Sequence, residues 1–416
     1  MKVRSLSVWS CLLAAMVLGV AACGDSDSGS GSKAGGGGGK TLTIYSSLPL
    51  QGASRPQSED VIRGEKLALK EAGNKAGDFT IKYVSLDDST AAAGKWEAGQ
   101  TSANARKVAQ DDTAIAYLGE FNSGASAISI PITNEAGILQ VSPSNTQLGL
   151  TKGGAGAEKG EPDKYYPGGT RTYGRVVPVD TIQGAAQAQY MKSQGVKSVY
   201  ILDDKEVYGQ GVAKNTEAAV KKLGLQVAGS DSWDGKASNY RALASKIKSS
   251  GADAVFGGGI IDNNGPQLWK DLNAALPDAK LFGPDGLATV DFTKEIPAKA
   301  QAQTYLTAPT VSPDELPPAG QKFYSDYQKE YNEPEDEIDP YAVYGYEAMT
   351  DVLASIKKGG SDKKAVVQAF FDTKKSDSVL GPYEIDDDGD TTLTLYGAYT
   401  AKAGKLVFKQ ALKPQT

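Results

Sequence analysis

The feature that most constrains the fold is a rhythm that runs through the chain twice. From residue 41 onward, short apolar runs with strand character alternate with longer segments of helical period. Residues 41–45 alternate at period two, and 57–73 place Val61, Leu67, Ala68 and Ala72 on one side of a helix. Strand-like runs at 81–86, 114–118 and 138–141 follow, with helical stretches at 96–109 and 126–136 between them. The rhythm then restarts: helix 181–194, strand 198–202, helix 209–223, strand 226–229, helix 239–249, strand 254–257, helix 266–275 and strand 281–282. Strands separated by helices predict parallel sheets with right-handed crossovers. Two such sets predict two doubly wound units, each with a crevice at the carboxyl ends of its strands. After Pro309 come helical stretches at 317–330, 340–357 and 363–371, then strand-like runs at 393–396 and 406–408. Residues 151–173, with six glycines and two prolines, read as a surface loop.

Composition narrows the chemistry. The 416 residues can fill two cores, and a net charge of −6 disfavours a nucleic-acid partner. Histidine is absent, and the two cysteines, Cys11 and Cys23, lie near the start. The body therefore has no Ser-His or Cys-His pair, no thiol chemistry and no ordinary zinc site. Catalysis is thereby disfavoured, though carboxylate or Lys chemistry stays open, and no cofactor or metal is expected.

The first residues read as an address. Lys2 and Arg4 precede an apolar run at 12–22, too short to cross a bilayer stably. The run ends Leu18-Gly19-Val20-Ala21-Ala22-Cys23, which resembles the lipobox of bacterial lipoproteins. That resemblance implies a signal peptide over 1–22, cleavage before Cys23, and lipidation of its sulfur. Residues 23–40, rich in Gly and Ser, would form a flexible tether from the lipidated cysteine to the body.

Seven landmarks then appear in one order along the body. They are Leu48-Pro49-Leu50-Gln51-Gly52; Gly64-Glu65-Lys66-Leu67-Ala68; Asp87-Asp88; Ser142-Pro143-Ser144-Asn145-Thr146; Asp203 to Gly211 with Tyr208-Gly209-Gln210-Gly211; Gly283-Pro284-Asp285-Gly286; and Gly381-Pro382-Tyr383 with Asp386 to Asp390. In this series the body resembles the type I periplasmic binding proteins, in their leucine/isoleucine/valine-binding branch. The resemblance implies an α/β fold of two doubly wound parallel-sheet lobes joined by three hinge crossings. Lobe one would take 41–177 plus 309–395, and lobe two 178–308 plus 396–416. It further implies a monomeric extracytoplasmic protein that hands a small amino acid to an ABC permease in the membrane.

An amino acid must have the solvation of both its charged ends replaced group by group. By family correspondence, Ser123 binds the ligand carboxylate, Ser144 offers a carbonyl, and Thr146 contacts the charged end. Asp285 would pair with the ammonium, and Tyr208 would close over the ligand. Each has a plainer reading. Ser123 could cap the following helix, the Ser144–Thr146 run is ordinary turn chemistry, Asp285 could cap a turn, and Tyr208 could be packing. Ile260 and Gln57 replace aromatics that often shape the family's side-chain pocket, so the ligand's side chain stays open. The acidic run at 386–390 lacks the twelfth-position Glu of a calcium loop and reads as a tight turn. Rival readings are a ligand sensor, the same clamp holding a non-amino-acid carboxylate or amide, and a carboxylate-only hydrolase.

Overall fold

The computed structural model describes residues 40–414; the expected signal peptide, Cys23 and nearly all of the tether lie outside the described residues. The first sheet contains β1 (Thr41–Leu48), β2 (Lys75–Ala76), β3 (Phe79–Asp87), β4 (Ala114–Gly119), β5 (Leu139–Ser142) and β6 (Tyr173–Arg175), in the order β2-β3-β1-β4-β5-β6. All neighbours pair in parallel except the short β2, which runs antiparallel to β3. The order reverses at β1, which leaves a crevice at the carboxyl ends of β1 and β4. Strand β4 is buried along its whole length, as expected of a parallel strand covered on both faces.

The covering helices are α1 (Arg55–Glu71), α2 (Ala98–Ala109) and α3 (Ser123–Glu135), and later α10 (Pro318–Tyr331), α11 (Ala342–Gly359) and α12 (Lys363–Phe371). Val61 and Leu67 of α1 share a core with Ile44 of β1 and with Val343, Met349 and Val352 of α11. The α1–α11 crossing depends on two glycines. A Cβ at Gly64 would stand 2.1 Å from the Ala342 carbonyl oxygen, and one at Gly345 would stand 2.2 Å from that of Val61. Alanine at either position would force these helices apart, and with them the amino end of α11.

The second sheet contains β7 (Ser198–Asp203), β8 (Gln226–Ser232), β9 (Ala254–Gly258), β10 (Lys280–Gly283), β11 (Thr304–Ala308), β12 (Tyr396–Lys402) and β13 (Lys405–Leu412), in the order β8-β7-β9-β10-β11-β12-β13. Its order reverses at β7, so a second crevice opens beside the ends of β7 and β9. Helices α4 (Asp180–Ser193), α5 (Val207–Lys222), α6 (Arg241–Ser250), α7 (Gly265–Ala275), α8 (Val290–Glu295) and α9 (Ala298–Gln301) accompany it. Strands β12 and β13 form an antiparallel hairpin on β11, so this sheet is parallel only as far as β11. The strand-like run expected at 393–396 begins only at Tyr396; residues 393–395 pair with no strand. Neither departure follows from periodicity, which does not report strand direction.

Candidate ligand-binding site

The groups that form the site come from loops at strand carboxyl ends of both sheets. Ser123 follows β4, Ser144 follows β5, Tyr208 follows β7, Ile260 follows β9 and Asp285 follows β10. Ser123, Ser144, Tyr208, Asp285 and Ile260 line one cavity together with Phe121, Asn122, Gly286 and Tyr341. Its volume is about 20 Å³, room for roughly one water. The walls are thus drawn together, and a ligand of amino-acid size enters only if they part.

Ser123 is the first residue of α3, and Asn122 holds the cap position without a side-chain capping bond. The capping alternative for Ser123 therefore does not describe its place. The free N–H groups of the first turn of α3 and the Ser123 hydroxyl together form a donor set suited to a carboxylate. Ser144 is buried, and its hydroxyl donates to the Phe121 carbonyl at 2.9 Å. Thr146 is not part of the cavity lining. It is fully buried, its carbonyl accepts from the Asp180 N–H at 2.7 Å, and its hydroxyl has no partner among the described residues.

Asp285 is the centre of the opposite wall. The Tyr208 hydroxyl donates to it at 2.7 Å, and the Gln183 amide and the Tyr341 hydroxyl donate as well. Tyr208 also accepts from the Gly286 N–H at 3.2 Å, which fixes the loop after β10. Every donor to the Asp285 side chain is neutral. Burial raises its pKa above the usual 3.8, and the three hydrogen bonds pull the other way. Asp180, the first residue of α4, adds a second carboxylate nearby. Burial and the Asp285 charge push its pKa up to about 8, against the pull of the Arg175 guanidinium. Both Asp180 oxygens are without hydrogen bonds among the described residues.

Three participants could not be read from sequence pattern. Tyr341 stands just ahead of α11, packed on the first sheet, and reaches across to Asp285; its ring lies edge-on to Phe121 at 5.6 Å. Gln183 comes from the first turn of α4, three residues after Asp180. Asp262, after β9, accepts from the N–H groups of Ala53 and Ser54 at 2.8 and 3.1 Å, and so places a carboxylate at the amino end of α1. Beside it Lys95 binds Glu206 at 2.7 Å and Asn263 at 2.8 Å. These contacts join the rims of the two sheets without touching the cavity.

The acidic turn at 386–390 is satisfied from within the protein. Asp386 accepts from the N–H groups of Asp388 and Asp390, and the Lys152 amine binds Asp386 at 2.6 Å and Asp390 at 3.2 Å. Among the described residues no group of three or more His, Cys, Asp or Glu side chains is placed to hold a metal ion, and no helix is long and apolar enough to cross a membrane.

A family model for periplasmic binding proteins matches residues 41–405. The chain is 30% identical over 376 residues to a Leu/Ile/Val-binding protein, BraC3, of Rhizobium johnstonii, covering 88% of this chain and 93% of that protein. Among solved structures, the leucine-binding protein LivK of Thermotoga maritima superposes with a TM-score of 0.78 at 21% identity, covering 90% of this chain and 99% of that one. A solute-binding protein of an ABC transporter from R. palustris, in complex with benzoate, superposes with a TM-score of 0.73 at 20% identity, covering 90% and 97%. With this fold, and with strand-end loops from both sheets meeting at one cavity, the chain belongs to the type I periplasmic binding proteins, in the branched-chain amino acid family.

Proposed function

We propose that this chain is an extracytoplasmic substrate-binding lipoprotein that takes a small amino acid, branched-chain or related, between two lobes and delivers it to an ABC importer. The observation that carries the reading is the pairing of unlike walls at one cavity: hydroxyl and helix N–H donors at Ser123, and a buried carboxylate at Asp285 held only by neutral donors. A zwitterion satisfies both at once, its carboxylate toward α3 and its ammonium toward Asp285. Ser144 lines the same wall as Ser123, Tyr208 orients Asp285, and Thr146 supports the ammonium end from behind through Asp180. The lobes, 41–177 with 309–395 and 178–308 with 396–416, would part and close about crossings near 177, 309 and 396. Because contacts are divided between them, the ligand favours the closed form. Cys23 would carry the lipid and 23–40 the tether, with the body acting as a monomer beside its permease.

A second reading is favoured by the crowding at Asp285. Three donors already meet its carboxylate, so an aromatic or aliphatic acid without an ammonium would leave them in place. A thermal-shift panel separates the two, since a ligand at 100 times its Kd adds about 2.7 kcal/mol. L-leucine, L-isoleucine or L-valine should raise the melting temperature and benzoate should not. Stabilisation by benzoate alone would move the assignment to the second reading, and no shift with any of them would overturn both.

A further inference from the structure

Away from the cleft, α4 and α5 run side by side in the same direction, with Gly184 against Asn215 and Gly211 near Asp180 at their amino ends. Between their outer faces lies a groove of about 720 Å³, within the size range of small-molecule sites. Its length, from Thr181 to Ser193 along α4, is roughly 18 Å at 1.5 Å per residue. The middle of the groove is lined by the short side chains Ala185, Ala218 and Ala219, with Gln189 following on α4.

The two ends of this groove differ. At the amino ends of the helices its lining includes Ala155, from the loop at 151–173. That loop is fastened there by the Lys214–Glu158 ion pair at 2.7 Å and by the Gln147 amide on the Gly156 carbonyl at 3.1 Å. At the carboxyl ends stand Leu223, a large apolar side chain left 36% exposed, and Lys192, Lys222 and Lys413. Neighbouring Lys214 and Lys221 are paired with Glu158 and Glu217, whereas among the described residues these three lysines enter no ion pair. Lys192 and Lys222 also offset the negative ends of their helices, but that role needs no apolar trough leading away from them. The cluster is cationic on a chain whose net charge is −6.

A mostly apolar groove that is cationic at one end fits a molecule with a hydrocarbon tail and a single anionic head. We propose that this groove binds a long-chain carboxylate, its tail lying along Ala185, Ala218 and Ala219 and its head among Lys192, Lys222 and Lys413. The site is independent of the cleft and of the ligand held there.

The test is titration of the full-length protein with dodecanoate below its micellar concentration, read by displacement of anilinonaphthalene sulfonate fluorescence. One dodecanoate should bind per chain, and uncharged dodecanol should bind at least about tenfold more weakly. The triple variant Lys192→Gln/Lys222→Gln/Lys413→Gln should lose about tenfold in affinity or more. Ala219→Glu should do the same, and the triple variant, altered only at exposed positions, keeps the test sound if Ala219→Glu disturbs folding. Equal binding of dodecanol, unchanged affinity in the triple variant, or binding only to phosphatidylglycerol vesicles and not to monomeric dodecanoate would overturn the proposal.

Discussion

Two buried carboxylates, Asp390 in the acidic turn and Asp285 in the cavity wall, have opposite surroundings. Asp390 is 2% exposed and meets full positive charges: the Arg175 side chain at 2.7 Å and Lys152 at 3.2 Å. Its pKa lies below the usual 3.8, with the two cations outweighing burial. Asp285 is 4% exposed and meets only a glutamine and two tyrosines, and its pKa is raised. Arg175 also donates to the Asn145 and Gln147 carbonyls and the Thr151 hydroxyl. The first carboxylate is complete within the protein and ties the 151–173 loop to the turn. The second has hydrogen bonds but no countercharge, which is what a site for a cationic group requires.

If that contrast is right, the largest effect should come from breaking the completed pair. Arg175→Met should cost up to about 3–5 kcal/mol of stability by leaving buried Asp390 with Lys152 as its one remaining cation, measured by denaturant unfolding. The Asp390 contribution is present above pH 3.8 and is lost as pH falls through its lowered folded value. Asp285→Ala should behave differently: affinity for L-leucine falls by about 10–150-fold, from the 1.5–3 kcal/mol of a charged hydrogen bond, while the ligand-free protein loses less stability than Arg175→Met does. A comparable stability loss in both variants would erase the distinction.

Asp180 sharpens it further, because its cost should appear only as it ionises. Below its usual 3.8 it is protonated in both folded and unfolded chains; as pH rises from there to its folded value of about 8, the unfolded state loses its proton first and stability falls. Asp180→Asn should therefore stabilise the protein above that window and not at all below it, checked by melting temperature against pH. The smallest effect is expected from Tyr341→Phe, which removes one cross-cleft hydrogen bond of about 1 kcal/mol. It should shift the ligand-free protein toward a more open shape in small-angle scattering while leaving the melting temperature nearly unchanged.

Much of the architecture was legible because it depends on local pattern. The alternation of apolar runs announced both parallel sheets. Ser123, Ser144, Tyr208 and Asp285 came from the family resemblance rather than from pattern, and they lie in the loops that follow strands. What stayed hidden depends on tertiary approach. Tyr341 is 56 residues from Asp285 in sequence and reaches it because α11 packs tightly on α1 through Gly64 and Gly345. Asp262 meets Ser54 across 208 residues. The short β6 and the antiparallel β12–β13 hairpin owe their pairing to neighbours that no period encodes. The acidic turn showed its charge in the sequence, but not that Lys152 and Arg175 would neutralise it.

The most direct measurement is calorimetric titration of L-leucine into the wild-type protein, Ser123→Ala, Asp285→Ala and the double variant. If one zwitterion bridges the two walls, each single change weakens binding by about tenfold or more, and the double variant is weaker still or shows no heat. Binding as tight as wild type in either single variant would mean that the ligand does not span from α3 to Asp285.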